Sequence, residues 1–224
     1  MILNYCLAED EYYTYDTIVD TLEAWQETFG LEAHSSSHYP DFGIMYELKT
    51  IGESSQDQLP IYAVKLSANV QEREAEPKVL ILGQCHAEEI YGVEIAMEII
   101  NQFLHPDQYI DNRPYFQNGL YFTELWIVPT YNPEGLRMVH GWDRDGEFLK
   151  DETYRKNIRD VVDIGNLNYQ VGVGNDSDGV DLNRNFNFNW SFGDEVLEPC
   201  TGDCSSYNDK YDYYRGKSPE SESE

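Results

Sequence analysis

Basic residues are scarce in this chain. Fifteen lysines and arginines stand against 42 aspartates and glutamates, and the 224 residues carry a formal net charge of −27. So acidic a surface repels phosphates, which excludes nucleic acid and anionic membranes as partners. The excess reads as a well-solvated acidic surface, against which a basic spot such as Arg155-Lys156 stands out. Cysteine is also sparse, at four residues, too few to define a disulfide scaffold. Cys200 and Cys204 flank Thr-Gly-Asp at a spacing that suits a local bridge, while Cys6 and Cys85 are isolated. No apolar run reaches membrane-spanning length. Met1 to Ala8 lacks both the basic n-region and the apolar length of a signal peptide. Repeats and low-complexity tracts are absent.

What is present fits one large α/β domain with a substantial core. Residues 1–11 read as a lead-in. Thr14 or Asp16 can cap a helix in which Ile18, Leu22, Trp25 and Phe29 recur at helical spacing, with Gly30 at its end. Ile44–Ile51 and Pro60–Leu66 read as strands joined by a turn-rich connection. Val79–Leu82 is a short, continuously apolar strand of the kind buried on both faces of a sheet. Ile90, Val93, Met97, Ile100 and Leu104 then mark an amphipathic helix that ends at His105-Pro106. Leu125–Val128 reads as another buried strand, followed by a turn signal at Asn132-Pro133-Glu134-Gly135. From residue 137 to 217 the chain reads as loop-rich. Alternation of strand, helix and strand favours a mixed, partly parallel sheet covered by helices.

Three segments carry candidate chemistry. His86-Ala87-Glu88-Glu89 places a histidine and a carboxylate three residues apart where a strand gives way to a helix. From there both side chains can reach the crevice above the sheet, and hydrolytic zinc sites use such ligands. Asn183 and Arg184, within Gly179–Phe186, pair an amide with a planar guanidinium fork that matches a carboxylate. Arg155, in Tyr154-Arg155-Lys156-Asn157, is a cation able to stabilise a developing oxyanion. Each segment alone also has a plain reading: a chance pairing, a solvated polar turn, a surface basic pair. The loop Gly174–Gly179 offers oxygen ligands for calcium but lacks the full EF-hand pattern, so an Asx-rich turn is the preferred reading.

Taken together, His86-x-x-Glu89, Asn132–Gly135, Tyr154–Asn157, Gly179–Phe186 and Tyr214-x-Gly216…Ser221-Glu222-x-Glu224 resemble the zinc carboxypeptidases of the carboxypeptidase A type, in order and rough spacing from about Tyr12 to Glu224. The resemblance implies an α/β fold with a mixed central sheet and helices on both faces, one Zn2+ per complete domain, and peptide or protein C-termini as substrates. It implies His86 and Glu89 as zinc ligands. Arg155 would be the carbonyl-polarising group, and Asn183 with Arg184 the anchor for the substrate's terminal carboxylate. Glu88 stands where many relatives carry arginine, and is expected to disfavour acidic substrate residues.

The family's third ligand is a histidine beyond the Ser-Glu-x-Glu segment, yet none follows His140 here. His34, His38, His105 and His140 fall in the wrong segments and read as surface or loop histidines. The general base, the mobile tyrosine and the residue that sets substrate preference lie later still in the family. The terminal Ser221–Glu224 has the form of a capping box, with Ser218-Pro219 an alternative start, and no helix behind it. The expectation is therefore an incomplete catalytic domain over residues 12–224, inactive alone. Related zinc deacylases or amidases, and a non-catalytic module that binds peptide C-termini, are the alternatives. The resemblance points to a secreted or periplasmic protein; the sequence leaves the oligomeric state open.

Overall fold

The computed structural model describes residues 12–30, 44–106, 119–144, 146–159, 179–188, 190 and 212–216. The lead-in 1–11, His34 and His38, almost all of the candidate calcium loop, Cys6, Cys200 and Cys204, and Ser218–Glu224 lie outside the described residues.

Helix α1 runs Tyr15–Phe29. Of the two candidate caps it uses Thr14, whose hydroxyl accepts from Thr17 N while the Thr17 hydroxyl accepts from Thr14 N at 2.8 Å, so two otherwise orphaned donors are satisfied. Its stripe of Ile18, Leu22 and Phe29 is buried. Strands β1 (Tyr46–Glu53), β2 (Pro60–Leu66), β3 (Lys78–Gln84) and β4 (Glu124–Thr130) form one sheet in the order β1-β2-β4-β3. β1 and β2, and β2 and β4, pair antiparallel; β3 and β4 pair parallel. Helix α2 (Tyr91–Leu104) connects the parallel pair, as a parallel crossover requires. The sheet is mixed and partly parallel.

Register sorts the side chains. Val64 and Leu66 lie opposite Ile127 and Leu125, and this face packs with Val93, Met97, Ile100 and Leu104 of α2 and with α1 in the main core. The other face carries a smaller cluster of Ala63, Val128 and Trp126. Among the described residues, the long helices α1 and α2 pack on the first of these faces. β3 is not buried on both faces as its apolar run suggests: Val79, Leu80 and Leu82 are 42%, 63% and 50% exposed. Among the described strands β3 stands at the end of the sheet, paired on one side alone.

The segment read as a turn at Asn132–Gly135 begins a helix, α3 (Pro133–His140). Asn132 caps it by accepting from Gly135 N at 3.1 Å, and Pro133 occupies the first turn, where its missing N–H costs nothing. A small hairpin, β5 (Trp142–Arg144) and β6 (Glu147–Leu149), follows in the stretch read as loop. His105 caps the end of α2 with its ring edge-on to Phe29. His140 closes α3 with Nε2 buried, rather than lying in a surface loop.

Being parallel, β3 and β4 end at the same edge, where Gln84 pairs with Thr130. A side chain at Gly83 would collide with the Pro129 carbonyl oxygen at 2.1 Å, and one at Gly92 would crowd the Gly83–Gln84 backbone at 3.0 Å. The two glycines let the start of α2 approach the strand ends and fix the short segment between them, which carries His86 and Glu89.

Candidate metal and carboxylate site

Four chain segments meet at that edge. Ala87 N donates to Arg155 O at 2.9 Å, Asn157 N to Val180 O at 3.2 Å, and Asp181 N to Tyr214 O at 2.8 Å. Gly179 has φ +78°, and a Cβ there would lie 1.6 Å from the Asn157 carbonyl oxygen, so glycine alone permits the crossing of these strings. Asn132, fully buried, ties the edge together: its Nδ2 donates to Cys85 O at 3.0 Å and Lys156 O at 3.2 Å.

His86 and Glu89 face each other. His86 Nδ1 lies 3.0 Å from Glu89 Oε1, yet it is buried and makes no well-directed hydrogen bond. The two atoms are close but point past one another. On its other side, His86 Nε2 is 3.1 Å from Asp181 Oδ1 and 2.8 Å from Arg155 Nη2. In the neutral ring with its proton on Nε2, the form a metal ligand needs, the ring donates to Asp181 and Nδ1 faces the space shared with Glu89. A ligand histidine is typically oriented by such a carboxylate on its second nitrogen. The residues present therefore fit a metal ion as two of its ligands. Among the described residues no group of three His, Cys, Asp or Glu side chains is arranged to hold one. Cys85 is buried beside His86 as a free thiol.

The local charges are strongly coupled. Burial works against the charged form of His86, but hydrogen bonds with Asp181 and Cys85 outweigh it and push its pKa up to about 10. Burial favours the neutral form of Asp181, and bonding to His86 and Arg155 reverses this, holding the carboxyl below its ordinary value. Arg155 is fixed from several directions: Nε donates to Asp181 Oδ2 at 3.0 Å and Nη1 to Glu88 Oε1 at 3.2 Å. Lys156, beside it, is buried, so the pair is not a surface basic patch.

Asn183 and Arg184 lie on a short 3₁₀ turn, Leu182–Arg184, capped by Asp181 Oδ1, which accepts from Asn183 N at 2.9 Å. Arg184 donates to the Asn183 carbonyl at 3.0 Å, and no carboxylate pairs with it among the described residues. Tyr213 links the two arginines: the Arg155 and Arg184 guanidinium carbons lie 4.5 and 5.5 Å from its ring centroid, within cation–π range. The fold thus brings His86, Glu89 and Arg155 into contact and places Arg184 beside them through one shared ring.

Asp181 and Tyr213 escaped the reading of the sequence. Asp181 had a legible signal, since an aspartate two residues before Asn183-Arg184 is placed to cap the turn that presents them. Tyr213 had none.

The model of the M14 peptidases, the zinc carboxypeptidases, matches residues 34–224. The chain belongs to the zinc carboxypeptidase family. A zinc carboxypeptidase of Saccharothrix mutabilis subsp. capreolus is 36% identical over 92 residues, which cover 41% of this chain and 20% of that one. Carboxypeptidase A from Helicoverpa armigera superposes with a TM-score of 0.66 at 21% identity, over 96% of this chain and 41% of that one. Thrombin activatable fibrinolysis inhibitor does so with a TM-score of 0.63 at 23% identity, over 95% and 41%. These two likenesses speak for the fold. The chain spans about a fifth of the first relative's length and about two fifths of each solved structure's. The family is one of hydrolases acting on peptides, and its name implies zinc.

Proposed function

We propose that this chain contributes the carboxylate anchor and two metal ligands of a zinc metallocarboxypeptidase, which releases the C-terminal residue of a peptide. The observation that carries the reading is Arg184. It is a guanidinium without a carboxylate partner among the described residues of a very acidic chain, set over the same ring as Arg155. An arginine in this setting suits an anion brought from outside, and its fork matches a terminal carboxylate. Asn183, exposed on the same turn, adds a neutral donor. Recognition of a free carboxylate restricts the reaction to chain ends.

His86 and Glu89 would hold the zinc ion, which supplies Lewis acidity and lowers the pKa of a water. Asp181, on Nε2, would hold the His86 ring with Nδ1 on the side of Glu89, where the ion would be bound. Arg155, held by Asp181 and stacked near Tyr213, presents N–H donors to the carbonyl oxygen of the bond to be cut, where negative charge develops.

Calorimetric titration of the 224-residue chain in excess zinc, with a peptide as free acid and as C-terminal amide, tests the reading. The free acid is expected to bind at least about tenfold tighter, the effect of satisfying a charged partner. Equal affinities would overturn it.

A further inference from the structure

Arg155 and Arg184 are held by different means. Two carboxylates fix Arg155, with Nε on Asp181 at 3.0 Å and Nη1 on Glu88 at 3.2 Å. The Arg184 guanidinium donates to the Asn183 carbonyl at 3.0 Å. Its other directed contact among the described residues is the Tyr213 ring, whose centroid lies 5.5 Å from the guanidinium carbon. The same centroid lies 4.5 Å from the guanidinium carbon of Arg155. Two like charges thus share one aromatic ring, whose electron-rich faces attract both.

Backbone contacts give the ring its place. Tyr214, next along the chain, is buried against Val180, and its carbonyl accepts from Asp181 N at 2.8 Å. The Arg215 carbonyl accepts from Asn185 Nδ2 at 2.6 Å and from Trp190 Nε1 at 2.8 Å. Asp181 and Asn185 flank the turn that presents Asn183 and Arg184. The segment that carries Tyr213 is therefore tied to both ends of that turn, and the ring is half-buried between them.

One residue separates a peptide's terminal carboxylate from the carbonyl of its last amide bond. Groups that grip both must stand at a set separation. Asp181 and Glu88 settle the position of Arg155. Without the ring, Arg184 would keep the rotamer freedom of a long side chain, and binding would have to remove it.

We propose that Tyr213 is a positioning residue of the carboxylate anchor, its ring registering the Arg184 fork against the fixed Arg155. The inference rests on the carboxypeptidase reading above and adds a residue that the anchor needs. The face of the ring does the holding, so the hydroxyl is dispensable and the charge on the face is not.

The test is calorimetric, on the full chain in excess zinc, with an N-acetylated tripeptide ending in phenylalanine as free acid and as amide. Tyr213→Leu should weaken binding of the free acid about three- to tenfold, the effect of having to order one long side chain. The amide should stay within about twofold of its original affinity. Tyr213→Phe should match the unaltered chain. Replacing Tyr213 by a trifluorinated phenylalanine keeps the shape but drains charge from the face, and should cost the free acid about as much as leucine does. A ring that merely fills space would not respond in this way, and the fluorinated chain keeps the test in force if the leucine chain does not fold. In an Arg184→Ala background, Tyr213→Leu should have no further effect. An undiminished preference for free acid in both the leucine and the fluorinated chains overturns the positioning role and leaves the carboxypeptidase reading intact. Equal losses for acid and amide, or a loss with leucine but none with the fluorinated ring, do the same. Failure of the unaltered chain to prefer the free acid overturns that reading and the positioning role with it.

Discussion

Asp181 reaches His86 across 95 positions of sequence, with Oδ1 3.1 Å from Nε2. This contact places a carboxylate behind Nε2, on the side of the ring away from Glu89. Exchange of Asp181 for asparagine retains the shape but removes the charge that favours a proton on Nε2. Zinc affinity should fall about 10–100-fold, the usual consequence of losing the carboxylate behind a ligand histidine. Competition against a chromophoric chelator measures it, and an unchanged affinity would remove Asp181 from the metal site.

Arg184→Ala separates recognition from stability. Among the described residues the guanidinium makes one hydrogen bond, to its neighbour's carbonyl, and one ring contact. Unfolding free energy should therefore change by less than about 0.5 kcal/mol. Affinity for a peptide free acid should drop about 30-fold or more, the loss of a charge-assisted bidentate pair, and the preference over the amide should vanish. Retention of that preference would show that the carboxylate binds elsewhere.

Asn132 spends its amide on three backbone groups: Cys85 O, Lys156 O and Gly135 N. Asn132→Ala leaves all three without that partner in a fully buried place. A destabilisation of about 2–4 kcal/mol is expected from the unpaired groups and the lost cap. Urea unfolding monitored by tryptophan fluorescence reads it directly; a loss below about 1 kcal/mol would mean that water replaces the amide.

Glu124 gives the fold a dependence on acid. Burial raises its pKa, but hydrogen bonds from Lys78, Trp126 and Lys65 outweigh this and bring it from the ordinary 4.5 down to about 2. The folded value lies below the unfolded one, so between these limits the unfolded chain binds more protons. The stabilisation is complete above about pH 4.5 and drains as pH falls toward 2. Comparing denaturation at pH 5 and pH 3 should show a smaller acid loss in Glu124→Gln than in the unaltered chain. Equal losses in both would show that Glu124 is not held in this way.

Much of the fold was legible because periodicity and burial agreed. Ile18, Leu22 and Phe29 mark α1, and Val93, Met97, Ile100 and Leu104 mark α2; all seven are buried. Where the local signal is ambiguous, the outcome depended on tertiary context. Asn132-Pro133 serves a turn and a helix start equally well, and the hydrogen bond to Gly135 N selects the helix. The apolar run of Val79–Leu82 would suit a doubly covered strand, but neighbours decide exposure, and here only one face of β3 is packed by described elements. In the site, His86, Glu89, Arg155, Asn183 and Arg184 were legible as motifs. The pairing of Arg155 with Glu88, and the Tyr213 ring shared by two arginines, were not, because these contacts join segments far apart in the chain.

By itself, the sequence determined the charge of the surface, the positions of the main helices and strands, the family, and the residue types available for metal and carboxylate. Those follow from composition, period and motif, which are local properties of a chain. Only the tertiary structure decided that Asp181 stands behind His86, that Arg184 keeps its charge free of any described carboxylate while Arg155 does not, and that one Tyr213 ring serves both arginines. Contacts of that kind form when the parallel ends of β3 and β4 bring residues 86, 155 and 181 to one edge, and no local pattern encodes the meeting.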